Sequence, residues 1–217
     1  MKSLIVIPTY NEEKDIDKVV IQLKEYNKDI LIVDDGSTDA TLSKLKTIKD
    51  ISLLTNGKNK GKGFAIRRGL QYALKNNYDL VILMDGDGQH NPAEINNFIE
   101  KSRDYDLVIG NRMHNSFRMP FIRYFVNWLD SSIVSKIISF DVKDVHCGYR
   151  ALKTNLINKL DLKSERFEIE AEIVINTVKN KAKVANLNIE CIYLGQNSSI
   201  NPITDMYRFI KLVIKSI

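Results

Sequence analysis

At residues 81–90 the chain reads VILMDGDGQH, an apolar run that breaks directly into Asp85 and Asp87 among glycines. Two carboxylates one residue apart raise one another's pKa unless a cation or hydrogen-bond donors compensate, so the pair needs a partner. As plain turn chemistry DGDG needs nothing more, because turns favour Asp and Gly. An EF-hand loop starting at Asp85 requires Asp or Asn at 89, Gly at 90 and Glu at 96, where the chain has Gln89, His90 and Asn96. A phosphatase of the haloacid dehalogenase type needs Thr or Val two residues after the second Asp and finds Gln89. The chemical reading that survives is a magnesium or manganese site, in which one or two carboxylates share the cation with a nucleotide diphosphate.

Other polar clusters occupy comparable places. DDGSTDAT, residues 34–41, sets a second acidic pair, Asp34 and Asp35, before a short helical pattern that Ser37 or Asp39 would cap. A carboxylate there suits the hydroxyls of a ribose or the edge of a uracil or guanine. In PTYNE, residues 8–12, Tyr10 offers a face for a base and Glu12 an acceptor at a helix start, while both also serve as ordinary turn and cap residues. NKGKGFAIRRG places Gly61 and Gly63 ahead of a helix but has Ile66 where a dinucleotide fingerprint needs its third glycine. Lys60 and Lys62 read there either as phosphate neighbours or as a solvated charge cluster. His90, His114 and His146 show no metal-ligand spacing, and His90 reads as backing for the Asp pair.

These clusters need a frame that gathers them. From Ser3 to about Val108, β-branched runs alternate with helical patterns: LIVIP, a helix from about Glu12, DILIVDD, a short helix, ISLLT, a helix from about Gly63, DLVILMD, a helix from Pro92, then DLVIG. Apolar strands separated by amphipathic helices predict an α/β fold, a mostly parallel sheet covered on both faces. Ligands of such sheets bind beyond the carboxyl ends of the strands, and PTYNE, DDGSTDAT, DGDGQH and GNR all fall there. Farther on, residues 117–140 predict an amphipathic helix or helix pair, with Arg123, Asn127 and Asp130 at helical spacing against Phe121, Ile122, Phe125, Trp128, Leu129 and Ile133. A helix over 168–180, a strand over 183–193 and a last helix, PITDMYRFIKLVIKSI, with Arg208, Lys211 and Lys215 along one side, complete the pattern.

The 217 residues, 44% apolar with 10 Gly and 4 Pro, suffice for one globular domain with a substantial core. A net charge of +5 suits phosphate-bearing ligands or an anionic membrane surface. Cys147 and Cys191 belong to no CxxC pair, so neither a disulfide framework nor a zinc site is expected and the compartment reads as reducing. SLIVIPTYNEE has no small-residue cleavage site behind its apolar stretch and reads as a core strand rather than a signal peptide. No uncharged apolar run nears the roughly 18 residues of a membrane span, so the chain is not expected to cross a bilayer.

Taken in order, IPTYNE, VDDGSTDAT, NKGKGFAIRRG, MDGDGQHNP, GNR and DVHCGYRA resemble a family 2 glycosyltransferase of the GT-A fold. They are most similar to the branch of polyprenyl-phosphate sugar transferases that dolichyl-phosphate mannose synthase typifies. The resemblance spans nearly the whole chain as a single domain, with residues 1–112 as the nucleotide-sugar-binding half and 113–217 as the acceptor and membrane-interface half. It implies a Rossmann-like, mostly parallel sheet with helices on both faces plus amphipathic C-terminal helices. It makes Pro8, Tyr10, Glu12, Val33 and Asp35, with Asp85 and Gly86, the nucleotide pocket. Asp85 and Asp87 become the Asp-x-Asp element at the diphosphate, with Asp85, Asp87 and Gln89 on Mg2+ or Mn2+ and Arg112 beside the phosphates, so that Asp85, Asp87 and Arg112 are the catalytic residues. The 144–150 stretch matches a segment that borders the acceptor. In the last strand, where relatives carry an Arg and then a Lys near the donor, this chain has Glu190 and Asn197, leaving Arg208 or Lys211 to substitute.

The implied function is inverting, metal-dependent transfer of a hexose or N-acetylhexosamine from a UDP- or GDP-sugar to a polyprenyl or dolichyl phosphate. The leaving group is a diphosphate, whose developing charge a divalent metal and Arg112 would stabilise. A phosphate acceptor is already an anion and needs no base, whereas a saccharide hydroxyl, the alternative acceptor, needs a carboxylate such as Glu170 or Glu172. A non-catalytic nucleotide-sugar binding module is the remaining reading, and the intact Asp-x-Asp element argues against it. The expected partners are the donor, the lipid acceptor and a membrane surface touched peripherally from the cytoplasmic face through the amphipathic helices. Packing on the sheet or at a homodimer seam is an equal use of residues 117–140, and no nucleic-acid partner is expected.

Overall fold

The computed structural model describes residues 1–115, 119–190, 192 and 202–216. Its elements are β1 (Ser3–Thr9), α1 (Ile16–Lys24), β2 (Asp29–Asp34), α2 (Thr41–Leu45), β3 (Ser52–Thr55), α3 (Lys62–Lys75), β4 (Leu80–Leu83), α4 (Ile95–Lys101), β5 (Leu107–Asn111), α5 (Phe121–Ile138), β6 (Arg150–Lys153), α6 (Thr154–Ile157), α7 (Ile169–Lys179), β7 (Val184–Asn188) and α8 (Pro202–Ser216). A short 3-10 turn, Pro92–Glu94, precedes α4, where a helix from Pro92 was expected.

The strands form one sheet in the order β3-β2-β1-β4-β6-β5-β7. Neighbours pair in parallel except β6, which runs antiparallel to both β4 and β5. The α/β architecture read from the sequence is therefore present, with one strand added. Residues RALK were not expected to form it, because four residues with a cation at each end show no apolar run. By inserting β6 between β4 and β5, the second half of the chain completes the sheet of the first.

Every residue of β1 is buried, as a strand covered on both faces requires. Successive side chains point to opposite faces. A Cβ at Gly69 of α3 would collide with the Val6 side chain, while one at Gly86 would meet Ile7 and Ile16 of α1, so α3 packs on one face of β1 and α1 on the other. Helix α1 starts at Ile16 rather than near Glu12, because residues 12–15 form a turn whose Glu12 carbonyl accepts from Asp15 and Ile16 N–H groups at 3.2 and 3.1 Å.

The sheet opens where the site is expected. The β1–β4 register stops at Val6 and Leu83, with the Met84 N–H donating to the Val6 carbonyl at 3.1 Å. The next position of β1 on that side is Pro8, which has no N–H to give, so the ladder ends there. On the other side β1 continues with β2 to Thr9 and Asp34. Between β1 and β4 the strand order also reverses direction, which leaves a crevice beyond their carboxyl ends.

The 117–140 pattern becomes α5, and its amphipathicity is inverted. The polar positions face inward: Asn127 is buried and donates to Asp144 at 3.1 Å, and Asp130 pairs with His146 at 2.7 Å. The apolar positions face out, with Phe121 79% and Ile122 78% exposed and Phe125, Trp128 and Leu129 exposed beside them. On α8, Phe209 is buried with its ring 5.6 Å from that of His146, while Met206, Tyr207, Ile210 and Ile214 are exposed. Among the described residues no helix is long and apolar enough to cross a membrane. The predicted strand over 183–193 is β7 alone, and Cys191 and Asn197 lie outside the described residues. Cys147 is a free, buried thiol whose pKa burial pushes up to about 12.

Candidate active site

The loops after β1 and β2 are laced together. Asn11, at φ 56°, donates its N–H to Ser37 Oγ at 3.0 Å, and its Oδ1 accepts from the Thr38 N–H at 2.8 Å. The Glu12 N–H donates to Thr41 Oγ1 at 2.8 Å, and Glu13 accepts from the Ala40 N–H at 2.9 Å. The N-cap of α2 is Ala40 rather than either residue proposed, and Asp39, one residue earlier, accepts from the Thr41 N–H at 3.0 Å. Above this lacing Tyr10 stands 41% exposed, available as a surface for a base. Pro8 and Val33 are buried partners in the β1–β2 register, so they form floor rather than contact surface.

The second acidic pair is engaged mostly by backbone. Asp34 accepts from the Gly36 and Ser37 N–H groups at 3.2 and 3.3 Å and closes the turn after β2. Asp35, 2% exposed, accepts from Asn56 Nδ2 at 2.6 Å, the Lys60 N–H at 3.0 Å and the Gly61 N–H at 2.6 Å. Its carboxylate thus pins the 56–61 loop over the crevice. That loop ends at Gly61, whose φ of 103° suits glycine alone and brings the chain into α3 at Lys62.

Lys62 carries what sequence reasoning missed. Its Nζ lies 2.7 Å from Asp85 Oδ1 and 2.7 Å from Glu170 Oε1 in the first turn of α7. Burial works against its ammonium, yet Asp85 and Glu170 outweigh that and raise its pKa above the ordinary lysine range. Burial likewise opposes the Asp85 carboxylate, but Lys62 first, then His90 and Arg112, hold it well below the usual carboxylate range. His90 takes the backing place read from the sequence: its Nδ1 accepts from the Asp85 N–H at 3.3 Å, its Nε2 lies 4.0 Å from Asp85 Oδ2, and its ring stacks on Tyr149 at 5.0 Å. Gly148 closes the remaining side, since any Cβ there would strike the Asp85 carboxylate.

The negative charge of the same loop acts on Glu12. Glu12 has its pKa raised from 4.5 to about 7, by burial first and then by Asp87 and Asp85. Asp87 accepts from the Gln89 N–H at 3.0 Å, and Gly88 between them sits at φ 74°. Gln89 in turn accepts from the Ile192 N–H at 2.9 Å through its carbonyl. Among the described residues no three His, Cys, Asp or Glu side chains form a ready cage for a metal ion. The donor set still fits a hard divalent cation of the magnesium type, which binds through one or two carboxylates plus substrate phosphates, and the field that raises Glu12 is what such a cation would relieve.

Arg112 is brought close enough for its charge to act on Asp85 and His90, but its Nε and one terminal nitrogen donate to the two oxygens of Asp144 at 2.7 and 2.9 Å. Asp144 is fully buried, and Arg112 holds its pKa below the usual range against the opposing effect of burial. Arg150, expected at the acceptor border, is buried instead and donates to the carbonyls of Val145, Cys147 and Glu170. The two glutamates offered as bases are both engaged: Glu170 with Lys62, and Glu172 with the Lys163 and Ser164 N–H groups at 3.0 and 2.9 Å. Arg208 pairs with Asp205 at 2.8 Å within α8, and Lys211 is exposed.

Residues 4–161, the span that carries β1, the crevice loops and β6, match the family described as Glycosyl transferase family 2. At 33% identity over 215 residues, covering 87% of this chain and 85% of the relative, the protein is similar to the UDP-N-acetylglucosamine–dolichyl-phosphate N-acetylglucosaminyltransferase of Methanococcus voltae. At 27% over 201 residues, covering 87% and 83%, it is similar to the undecaprenyl-phosphate mannosyltransferase of Micrococcus luteus. Its fold superposes with a TM-score of 0.79 and 18% identity, over 99% of this chain and 79% of the other, on glucosyl-3-phosphoglycerate synthase from Mycobacterium tuberculosis in complex with Mn2+, uridine-diphosphate-glucose and phosphoglyceric acid. A parallel sheet split at Pro8, an Asp-x-Asp loop in the split and a matched span of this length converge on one conclusion: the chain is a glycosyltransferase and belongs to glycosyl transferase family 2.

Proposed function

We propose that the protein is an inverting, metal-dependent transferase that moves a hexose or N-acetylhexosamine from a UDP- or GDP-sugar to a polyprenyl or dolichyl phosphate. The observation that carries this reading is the fate of Glu170 and Glu172, whose carboxylates are held by Lys62 and by two backbone N–H groups. A hydroxyl acceptor needs a base within reach of its proton, while a phosphate oxygen arrives as the nucleophile. The named activities of the Methanococcus voltae and Micrococcus luteus relatives, both toward polyprenyl-type phosphates, support the same acceptor class.

In this mechanism Tyr10 carries the base, and the 56–61 loop held by Asp35 frames the diphosphate. Asp87, with Asp85 and Gln89, would hold Mg2+ or Mn2+, which acts as a Lewis acid on the leaving diphosphate. The Mn2+ and UDP-glucose complex of the M. tuberculosis synthase with this fold supports that choice of metal. The acceptor phosphate oxygen attacks the anomeric carbon from the face opposite the departing diphosphate, through a cation-like centre, and the bonding pair of the broken C–O bond leaves with the diphosphate. Arg112 adds positive field from its fixed place on Asp144.

The outward apolar faces of α5 and α8 would bring this site to its lipid at the cytoplasmic face. Exposed apolar patches of this kind mark interaction surfaces, and Lys136, Lys211 and Lys215 stand exposed on the same helices to meet anionic headgroups. The test is incubation with a short-chain polyprenyl phosphate, Mn2+ and a panel of labelled nucleotide sugars. An acid-labile lipid-linked sugar supports the reading; label found only on added saccharide acceptors sinks it.

A further inference from the structure

The Asp85 carboxylate is held by a cation and hemmed in by its neighbours. Lys62 Nζ occupies Oδ1 at 2.7 Å, His90 stands 4.0 Å from Oδ2, and the backbone at Gly148 blocks the third side. The lysine is not merely passing: Glu170, with a side chain only 3% exposed, grips the same Nζ at 2.7 Å, and the Phe167 ring lies 5.7 Å beneath it. A cation that enters the crevice alone therefore meets an oxygen already matched by an ammonium. A nucleoside diphosphate supplies the missing negative charge and gives Lys62 a second anion to face.

We propose that Lys62, tethered by Glu170, is a built-in counter-ion of Asp85 that keeps the divalent cation off the site until the nucleotide diphosphate arrives, so that metal and donor bind as a coupled pair. The proposal rests on the metal reading of Asp85 and Asp87 given above. Coupling of this kind is reciprocal: the nucleotide tightens the metal by the factor by which the metal tightens the nucleotide.

The two ends of the tether make opposite predictions, which a structural role does not. Free Mn2+ is measured by electron paramagnetic resonance with the full chain, without nucleotide and with UDP or GDP, alongside a thermal melt of each variant. Lys62→Met removes the competing charge, and nucleotide-free Mn2+ affinity rises about tenfold, while the gain on adding nucleotide shrinks to match. Glu170→Gln leaves Lys62 to Asp85 alone, and nucleotide-free affinity falls by about threefold or more. Lys62→Arg keeps the charge and stays near wild type. Should Lys62→Met not fold, the double variant Lys62→Met/Glu170→Gln, which replaces the buried pair by neutral groups of similar size, is read in its place and binds Mn2+ more tightly than wild type. A fall in both single variants, or no gain in Lys62→Met or its double, overturns the counter-ion while leaving the metal site standing. A wild type that takes up no Mn2+ with either nucleotide overturns the metal reading and the proposal with it.

Discussion

Glu12 provides a measure of the charge gathered in the crevice that needs no substrate. Its pKa rises from 4.5 to about 7 in the folded chain, through burial and the fields of Asp87 and Asp85. Below pH 4.5 the carboxyl is protonated folded or unfolded, and above pH 7 it is ionised in both. Between these values the folded chain keeps a proton that the unfolded chain has released, so stability falls as pH rises. The full shift corresponds to at most about 3.4 kcal/mol at 1.36 kcal/mol per pH unit, and screening of a half-buried side chain reduces it to about 1.5 kcal/mol. Glu12→Gln is isosteric and removes the effect. In EDTA its Tm should match that of the wild type near pH 4.5 and exceed it by about 3–6 °C at pH 8, at 2–4 °C per kcal/mol for a chain of this size. Mn2+ with UDP or GDP should close that gap by relieving the repulsion in the wild type. A variant destabilised equally at every pH would refute the reasoning, since the field of Asp85 and Asp87 would then be absent.

Asp87→Ala should lose Mn2+-dependent transfer by about 100-fold or more while its Tm stays within a few degrees, because the bond that Asp87 accepts from the Gln89 N–H spans two residues of one loop; kinetics and a melt on the same preparation check both. Arg112→Met leaves the buried Asp144 carboxylate unmatched and should cost about 3–5 kcal/mol by urea denaturation, with Arg112→Lys losing less; an unchanged midpoint would contradict the clamp. The double change Phe121→Asp/Ile122→Asp should weaken sedimentation with anionic vesicles about tenfold or more and leave transfer to a water-soluble short acceptor intact. If it instead turns a dimer into a monomer in ultracentrifugation, α5 is a seam between copies rather than a lipid contact.

What could be read from the sequence followed from local pattern. The alternation of apolar runs with helical periodicity sufficed for β1 to β5 and for placing Asp85, Asp87, Tyr10 and Glu12 at strand ends. Strand β6 escaped because a central strand of four residues can carry Arg150 when its guanidinium finds three buried carbonyls, and no periodicity signals that. For α5 the pattern announced an amphipathic helix but not which side turns inward; Asp144 and His146 decide it by taking Asn127 and Asp130. The role of Asp35 was hidden for a similar reason, since besides Asn56 its partners are backbone N–H groups that every residue owns. Lys62 was visible as a cation at a helix start, while its partner Glu170 lies in the other half of the chain, and only the folded sheet brings them to 2.7 Å.

The central claim, that the acceptor enters as a phosphate and needs no protein base, is tested most directly by changing one group on the acceptor. The same short isoprenoid is supplied as its phosphate or as its free alcohol, with the labelled donor that the panel identifies and Mn2+. The geometry around Glu170 and Glu172 predicts transfer to the phosphate alone; glycosylation of the alcohol at a comparable rate would contradict it.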